Sequence, residues 1–305
     1  MMFEIFLLVI SILTLISAGN FIIKSTSNIT QNLGIPEYLA STIVLCFFVN
    51  LPLLIIMLIS NFYNISELGI SAVIGSAVTI LTLTLGILLL TSEFPIKAES
   101  HRNITFMWSS ALVLFIVSLD KIIDRMDAIF LLLIFIFYTI YIYYRTSKAK
   151  EYTFLKIKPI HIWMYPIAIF AIILSSLALT SATILLDKYT ALSYCFIGLI
   201  PLGFIIALPT IYGLRRVFTN EELAIDSIIG SIIICLSLIP GITALILPIT
   251  YSITYNTQVF PLLFLNLMVL TFAIIAKAFR KINRAAGIGL IVGYLIYIIL
   301  TIYYM

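Results

Sequence analysis

Residues 39–55 read LASTIVLCFFVNLPLLI, an apolar stretch that Asn50 and Pro52 interrupt near its C-terminal end. The stretch has the character of a membrane-spanning helix, which needs about 20 apolar residues. A proline inside a helix lacks the N–H that would bond the carbonyl four residues earlier. In hydrocarbon, a freed carbonyl is tolerated only against protein or a water-lined cavity. We therefore predict a broken membrane helix whose polar backbone faces the inside of a bundle.

The whole chain has the composition of a polytopic membrane protein. Of its 305 residues, 63% are hydrophobic and 10% are charged, whereas soluble proteins average about 45–50% and about 25%. Ten apolar runs are candidates for spans: 3–23, 38–60, 67–91, 105–119, 127–145, 162–186, 190–214, 223–250, 256–276 and 285–304. The predicted fold class is an all-α integral membrane protein with ten transmembrane helices. We expect the eighth to bend or end early at Pro240-Gly241.

The basic residues are distributed very unevenly between the predicted loops. Loops after odd-numbered spans hold 14 of the 17 Lys and Arg residues, and loops after even-numbered spans hold 3. Because basic residues resist translocation, we predict a multi-pass cell-membrane protein with both termini outside and a cytoplasmic basic linker at 146–161. Topology also accounts for the net charge of +4. The lipid bilayer is therefore an expected partner, and nucleic acid is not.

The linker separates two halves, 1–145 and 162–305, with five predicted spans each. Halves with an odd number of spans enter the membrane in opposite directions. Two motifs recur in order, 23 residues apart from Pro to Gly in one half and 21 in the other: Leu51-Pro52 then Gly75-Ser76, and Leu208-Pro209 then Gly230-Ser231. Gly-Ser pairs let helix backbones approach closely. We predict two inverted repeats, with cores at about 33–90 and about 190–240, that share a midplane binding site.

These motifs resemble those of the cation/calcium exchanger superfamily, which includes sodium/calcium and proton/calcium antiporters. Its repeats read approximately LGIP…IGLTVVAFGTSLPE followed by GNVIGSNIFN. In this chain LGIP at 33–36 and SAVIGSAVTI flank the first Leu-Pro, and CFIGLIPLGFIIALP and DSIIGSII form the second copy. The resemblance implies a sodium/calcium exchanger-like fold and the function of a secondary carrier.

The resemblance also implies a changed site. The superfamily's two site glutamates correspond to Leu53 and Thr210, and the amide or carboxylate after Gly-Ser corresponds to Ile80 and Cys235. Calcium prefers roughly six to eight oxygen ligands, including carboxylates, so a calcium exchange cycle is not expected. No metal ligands are predicted. The candidates for lining a substrate site are Asn50, Pro52, Ser76, Thr79, Pro209, Thr210, Ser231 and Cys235.

Several residues have a second, purely structural interpretation. A membrane asparagine such as Asn50 also serves to hold helices together. Asp226 lies near the start of a predicted span, where caps and helix-dipole partners are common. Arg145 follows the aromatic run at 135–144 and is interpreted as a side chain that reaches the membrane interface. The three cysteines lie singly on separate spans and are interpreted as core filling.

Three functions are compatible with these residues. The favoured one is a divergent secondary carrier for a cation or small solute. The alternative is a non-transporting subunit or regulator that kept the fold and has a membrane protein partner. An intramembrane enzyme is disfavoured, because His101 and His161 lie in predicted loops and the cysteines have no metal-binding spacing. No cofactor is expected.

Overall fold

The computed structural model describes residues 2–33, 37–91, 94–95, 98–146, 164–187, 192–217, 221–251, 255–278 and 281–304. The linker predicted at 146–161 lies outside the described residues apart from Thr146, and so do residues 34–36 of the first motif. The described chain is almost wholly helical, which confirms the all-α class.

The first half begins with α1 (Met2–Leu33). A segmented helix follows, made of α2 (Glu37–Leu39), a π-helical stretch π1 (Ala40–Leu45), α3 (Cys46–Val49) and α4 (Leu51–Phe62). The third helical unit is α5 (Ser66–Thr79), π2 (Ile80–Thr84) and α6 (Leu85–Thr91). The half ends with α7 (Ala98–Val117) and α8 (Arg125–Thr146).

The second half repeats this order of elements. It has α9 (Met164–Asp187), then α10 (Tyr194–Ile197), π3 (Gly198–Leu202) and α11 (Gly203–Val217). The next unit is α12 (Glu221–Ile233), π4 (Ile234–Leu238) and α13 (Ile239–Ile246). The last helices are α14 (Tyr255–Ala278) and α15 (Arg284–Tyr304).

Nine of the ten predicted spans have a counterpart of membrane character in the described residues. Eight helices are long and apolar enough to cross a bilayer, and the bent pair on either side of Asn50 adds a ninth. The fourth predicted span, 105–119, falls on α7, which starts earlier with AESHRN and is not among the nine. The third and eighth spans form the centre of the bundle, because 83% and 89% of their apolar windows are buried.

The four π-helical stretches occupy corresponding places in the two halves. π1 and π3 each end seven residues before the Leu-Pro proline, Pro52 or Pro209. π2 and π4 begin five and four residues after Gly75 and Gly230, respectively. Such i→i+5 stretches are rare and are frequently found at functional sites. Sequence periodicity did not reveal them, since a π turn uses the same apolar residues as an α turn.

Two expectations about helix breaks need correction. Leu208-Pro209, the counterpart of Leu51-Pro52, does not form a second break, since α11 continues through Pro209 to Val217 and the departure from α geometry in that unit lies upstream in π3. The eighth span was expected to bend or stop at Pro240-Gly241. It instead continues through both residues to Ile246, and Pro240 follows directly on π4, where the α-helical hydrogen-bond pattern is already interrupted.

Two small antiparallel strand pairs connect the halves at their loops. β1 (Phe94–Pro95) pairs with β4 (Lys281–Ile282), with Phe94 opposite Ile282. β2 (Ile122–Ile123) pairs with β3 (Ile249–Thr250), with Ile123 opposite Ile249. In each pair one strand comes from each half, so the loops are joined as well as the helices.

Candidate functional site

The break in the second helical unit occurs at Asn50. The axes of Ser41–Val49 and Leu51–Phe62 differ in direction by 47°. The Asn50 backbone carbonyl accepts hydrogen bonds from Leu53 N (3.0 Å) and Leu54 N (3.2 Å), so it starts the new helix. Pro52 follows in the first turn of α4, where its missing N–H leaves no bond unmade. The predicted break is confirmed, and it places a fully buried asparagine at the corner.

The Asn50 side chain joins the two halves. Its Nδ2 donates to Cys46 O (2.8 Å) and to Ser231 Oγ (2.7 Å). Its Oδ1 accepts from the thiol of Cys235, at 3.0 Å. Asn50, Ser231 and Cys235 are 1% exposed or less. The structure therefore brings together three of the predicted site residues, one from the first half and two from the second.

The corresponding place in the other half is incomplete. Two residues before Pro209 stands Ala207, which has no polar group to match Asn50. Ser76 Oγ, the counterpart of Ser231 Oγ, is buried and has no hydrogen-bond partner among the described residues, and the same holds for Thr210 Oγ1. The Thr79 hydroxyl donates to Gly75 O at 2.8 Å. Two predicted site residues thus carry buried hydroxyls whose hydrogen bonds are unmade, which is unusual inside a protein.

The two Gly-Ser pairs lie where helices cross, as predicted. A Cβ atom built on Gly75 would overlap the backbone of Leu199 in π3, and one built on Gly230 would stand 2.6 Å from Thr42 O in π1. Each glycine therefore packs against the π-helical stretch of the opposite half. The ring of Pro209 lies against Gly19 of α1.

Sequence reasoning missed a buried ion pair between the halves. Arg145 Nη1 donates to Asp226 Oδ2 at 3.0 Å, and the two side chains are 7% and 0% exposed. Arg145 was interpreted as a side chain that reaches the membrane interface and Asp226 as a cap or helix-dipole partner, but the two form a buried ion pair. The residues are 81 positions apart. A basic and an acidic residue near two span ends were the only sequence signal, and each had a simpler explanation.

Tyr38 and Asn103 complete this cluster. The Tyr38 hydroxyl donates to Asp226 Oδ2 at 2.9 Å and is also hydrogen-bonded to Arg145 Nη1. The Arg145 guanidinium lies over the Tyr38 ring, 4.1 Å from its centroid. Asn103 Nδ2 donates to the Tyr38 hydroxyl at 3.0 Å. A charge buried this deeply is compensated by an opposite charge and by several hydrogen bonds, as burial requires.

The described residues offer no cluster for a resident metal. No group of three or more His, Cys, Asp and Glu side chains within them could hold an ion. The Asn50 centre contributes an amide, hydroxyls and a thiol, whereas calcium sites include carboxylates among their oxygen ligands.

A buried polar centre between crossing helices of an all-helical, lipid-facing bundle is typical of a multi-pass membrane transport protein. The sequence profile of the family described as sodium/calcium exchanger protein matches residues 3–144 and 160–303. The chain therefore belongs to this family, within the cation/calcium exchanger superfamily.

Relatives of this chain are distant in sequence but similar in length and fold. The inner membrane protein YrbG of Escherichia coli (strain K12) is 22% identical over 317 residues, covering 96% of this chain and 94% of YrbG. The sodium-calcium exchanger NCX_Mj superposes with a TM-score of 0.70 at 16% identity, covering 97% of this chain and 98% of its own. The H+/Ca2+ exchanger CAX superposes with a TM-score of 0.75 at 15% identity, covering 99% and 87%. At these identities the solved structures establish the fold.

Proposed function

We propose that this protein is a secondary carrier whose substrate is a monovalent cation or a small polar solute, bound at the centre built around Asn50. The observation that carries the proposal is the Asn50 carboxamide, which lies at a 47° helix break and is hydrogen-bonded to Ser231 and Cys235 of the other half. Groups that join two halves at their crossing are well placed to sense a substrate there. Ser76 and Thr210 carry buried hydroxyls without a hydrogen-bond partner among the described residues and are the candidates for further oxygen ligands.

Charge balance argues against a divalent substrate. The buried carboxylate of Asp226 is already compensated by Arg145. A divalent ion at the Asn50 centre would therefore lack the carboxylates that offset its lost hydration. A monovalent cation or an uncharged polar solute requires less compensation, which hydroxyls, an amide and backbone carbonyls can provide.

The proposal includes an architecture of ten spans in two inverted five-helix repeats, with α7 as the fourth span. The matching places of the π-helical stretches and the reciprocal glycine contacts support it. The first half would be 1–145 and the second 162–305, joined by a cytoplasmic linker at 146–161. The uneven distribution of Lys and Arg supports termini on the outer side of a cell membrane.

Flux into proteoliposomes tests the carrier proposal. The purified protein would be assayed with sodium, potassium, protons, calcium and a panel of small polar solutes. We expect uptake of one monovalent cation or solute, no uptake of calcium, and loss of uptake in Asn50→Ala. Asn266→Ala is the matched control, because Asn266 also bonds a carbonyl of another helix, Ala111 O at 3.2 Å, but lies outside the centre. Flux equal to that of empty liposomes for every substrate would refute the proposal.

One observation favours the alternative of a non-transporting subunit. Both N–H groups of the Asn50 amide and its oxygen are bonded within the protein, which is the pattern of a purely structural contact. A subunit would purify from native membranes with a membrane protein at fixed stoichiometry and would show no flux. A monodisperse preparation without a stoichiometric partner, combined with flux, would exclude it.

A further inference from the structure

The Arg145–Asp226 cluster lies at one end of the bundle. Arg145 is in the last turn of α8, directly before residues 147–163, and we call the membrane face at this end the linker face. Tyr38 and Asp226 lie near the beginnings of the second and eighth spans. Their contact therefore places both beginnings at the linker face. The cluster ties the end of α8 to two helical units that cross at the centre.

The cluster is connected to the Asn50 centre through Cys46. The Cys46 thiol lies 3.0 Å from Ser227 O, and Ser227 follows Asp226. The carbonyl of the same Cys46 accepts from Asn50 Nδ2. Cys46 thus contacts both the helix segment that carries Asp226 and the Asn50 amide, so it lies between the cluster and the centre. Cys46 is itself 1% exposed, so this position is closed to solvent in this state.

The opposite end of the bundle has a different contact at the corresponding positions. Asp226 lies four residues before Gly230, and Ser71 lies four residues before Gly75. Tyr38 and Cys195 each lie 14 residues before the Leu-Pro prolines, Pro52 and Pro209. Ser71 Oγ donates to Cys195 Sγ at 3.2 Å. An ion pair with charge-assisted hydrogen bonds at one end thus corresponds to a hydroxyl–thiol contact, with its weak sulfur acceptor, at the other.

We propose that Arg145 and Asp226 form a latch that keeps the linker face closed and biases the carrier toward opening at the opposite face. This inference rests on the proposed function for its role in transport, and it deepens that proposal by identifying what controls access to the Asn50 centre. The pair separates only together with hydration of the linker face, because an isolated charge cannot remain in the low-dielectric interior. The corresponding Ser71–Cys195 contact joins two uncharged side chains, so its separation carries no such cost.

Native cysteines provide the measurement. Cys46 lies behind the latch, and Cys195 (3% exposed) lies at the opposite end. Both are buried, so each reacts with N-ethylmaleimide only when its end of the bundle opens, and its rate follows the population of that open state. Protein in detergent would be modified for increasing times, and each cysteine would be quantified by peptide mass spectrometry. Detergent exposes both faces, so the measurement needs no assumption about orientation in a membrane.

We expect Arg145→Gln to raise the modification rate of Cys46 by about tenfold or more and to leave that of Cys195 within about twofold. Arg125→Gln is the matched control: it makes the same change at an exposed position at the other end of α8 and should alter neither rate. An unchanged Cys46 rate in folded Arg145→Gln protein would overturn the latch. An equal rise at all three cysteines would also overturn it, since the pair would then hold the whole fold together.

A second variant covers the case in which Arg145→Gln does not fold because Asp226 is left unpaired. Arg145→Gln combined with Asp226→Asn buries no charge. We expect the same result for this double variant, namely faster modification of Cys46 and an unchanged rate for Cys195, and an unchanged Cys46 rate would overturn the latch. Failure here is distinct from failure of the carrier proposal, because thiol modification requires no transport. A latch confirmed in a protein without flux would refute the carrier and keep the gated architecture.

Discussion

Gly230 lies so close to Thr42 that a Cβ atom on the glycine would stand 2.6 Å from the Thr42 carbonyl oxygen. Thr42 belongs to π1 of the first half, and the second half has the reciprocal contact of Gly75 with Leu199 of π3. Small residues are the usual means by which membrane helices approach one another closely. In this protein the close approach occurs one residue before Ser76 and Ser231, the serines that follow the glycine in both halves. It therefore fixes how closely the helices that carry these two hydroxyls can approach.

Gly230→Ala should therefore be strongly destabilising. The added methyl group must push backbone away from backbone, and overpacking of this kind costs typically about 1–3 kcal/mol. Gly289→Ala is the matched control, because a Cβ at Gly289 meets nothing within 4 Å. Thermal unfolding in detergent should show a lowered Tm for Gly230→Ala only. Equal Tm values for the two variants would mean that the crossing adapts to a methyl group.

Ser231→Ala and Ser76→Ala should differ although they make the same change at corresponding positions. Ser231 accepts from Asn50, so its loss leaves one N–H of a buried amide without its acceptor, at a cost of about 1–3 kcal/mol. Ser76 has no partner to lose. We expect a lower Tm for Ser231→Ala and an unchanged Tm for Ser76→Ala. If Ser76 contacts the substrate, its variant alone should impair flux without a loss of stability.

Removing either charge of the buried pair should destabilise more than removing both. A single Asp226→Asn or Arg145→Gln variant leaves an uncompensated charge, which costs about 3–5 kcal/mol in buried pairs. The double variant should recover much of this loss, since neither desolvated charge remains. Unfolding of the parent protein, the two single variants and the double variant under the same conditions gives the coupling energy between Arg145 and Asp226. Additive losses would show that the pair is hydrated and contributes little.

Asn50→Asp should convert the neutral centre into one that responds to calcium. The new carboxylate has no neighbouring positive charge within its hydrogen-bond set of Cys46, Ser231 and Cys235, so the variant should lose stability. Calcium binding to the folded state would restore it and raise the Tm with concentration. Asn266→Asp serves as the control and should show no recovery with calcium. Equal recovery in both variants would point to nonspecific ion binding.

Much of the fold follows from residue types that act alone or over short distances. Long apolar runs specify helices, Asn50 and Pro52 mark the break, and Gly75 and Gly230 mark the crossings. The prediction of helix breaks failed for proline, because the same residue type has two structural outcomes in this chain. Pro52 starts a new helix beyond a break, whereas Pro209 is accommodated inside α11, and the difference depends on what packs around each proline.

The buried ion pair could not be predicted for a different reason. Arg145 and Asp226 lie in different halves, and each is individually typical of a span end. Only the packing of α8 against the eighth span shows that the Asp226 side chain is fully buried and that of Arg145 nearly so. Among the candidate site residues, the sequence indicated Asn50 through the break in the apolar run, Ser231 through the repeated Gly-Ser pair and Cys235 through the resemblance. It could not show that one amide bonds both partners, because those bonds cross between the halves.

The paired loop strands have a consequence for how such a molecule can be encoded. β1 with β4, and β2 with β3, each take one strand from either half, and the glycine crossings and the Asn50 bonds do the same. Contacts between the surfaces of the two halves therefore hold them together. Two short genes, one for each half, would specify the same set of contacts as the single gene. Fusion of such genes would add a tether and change none of the chemistry at the centre.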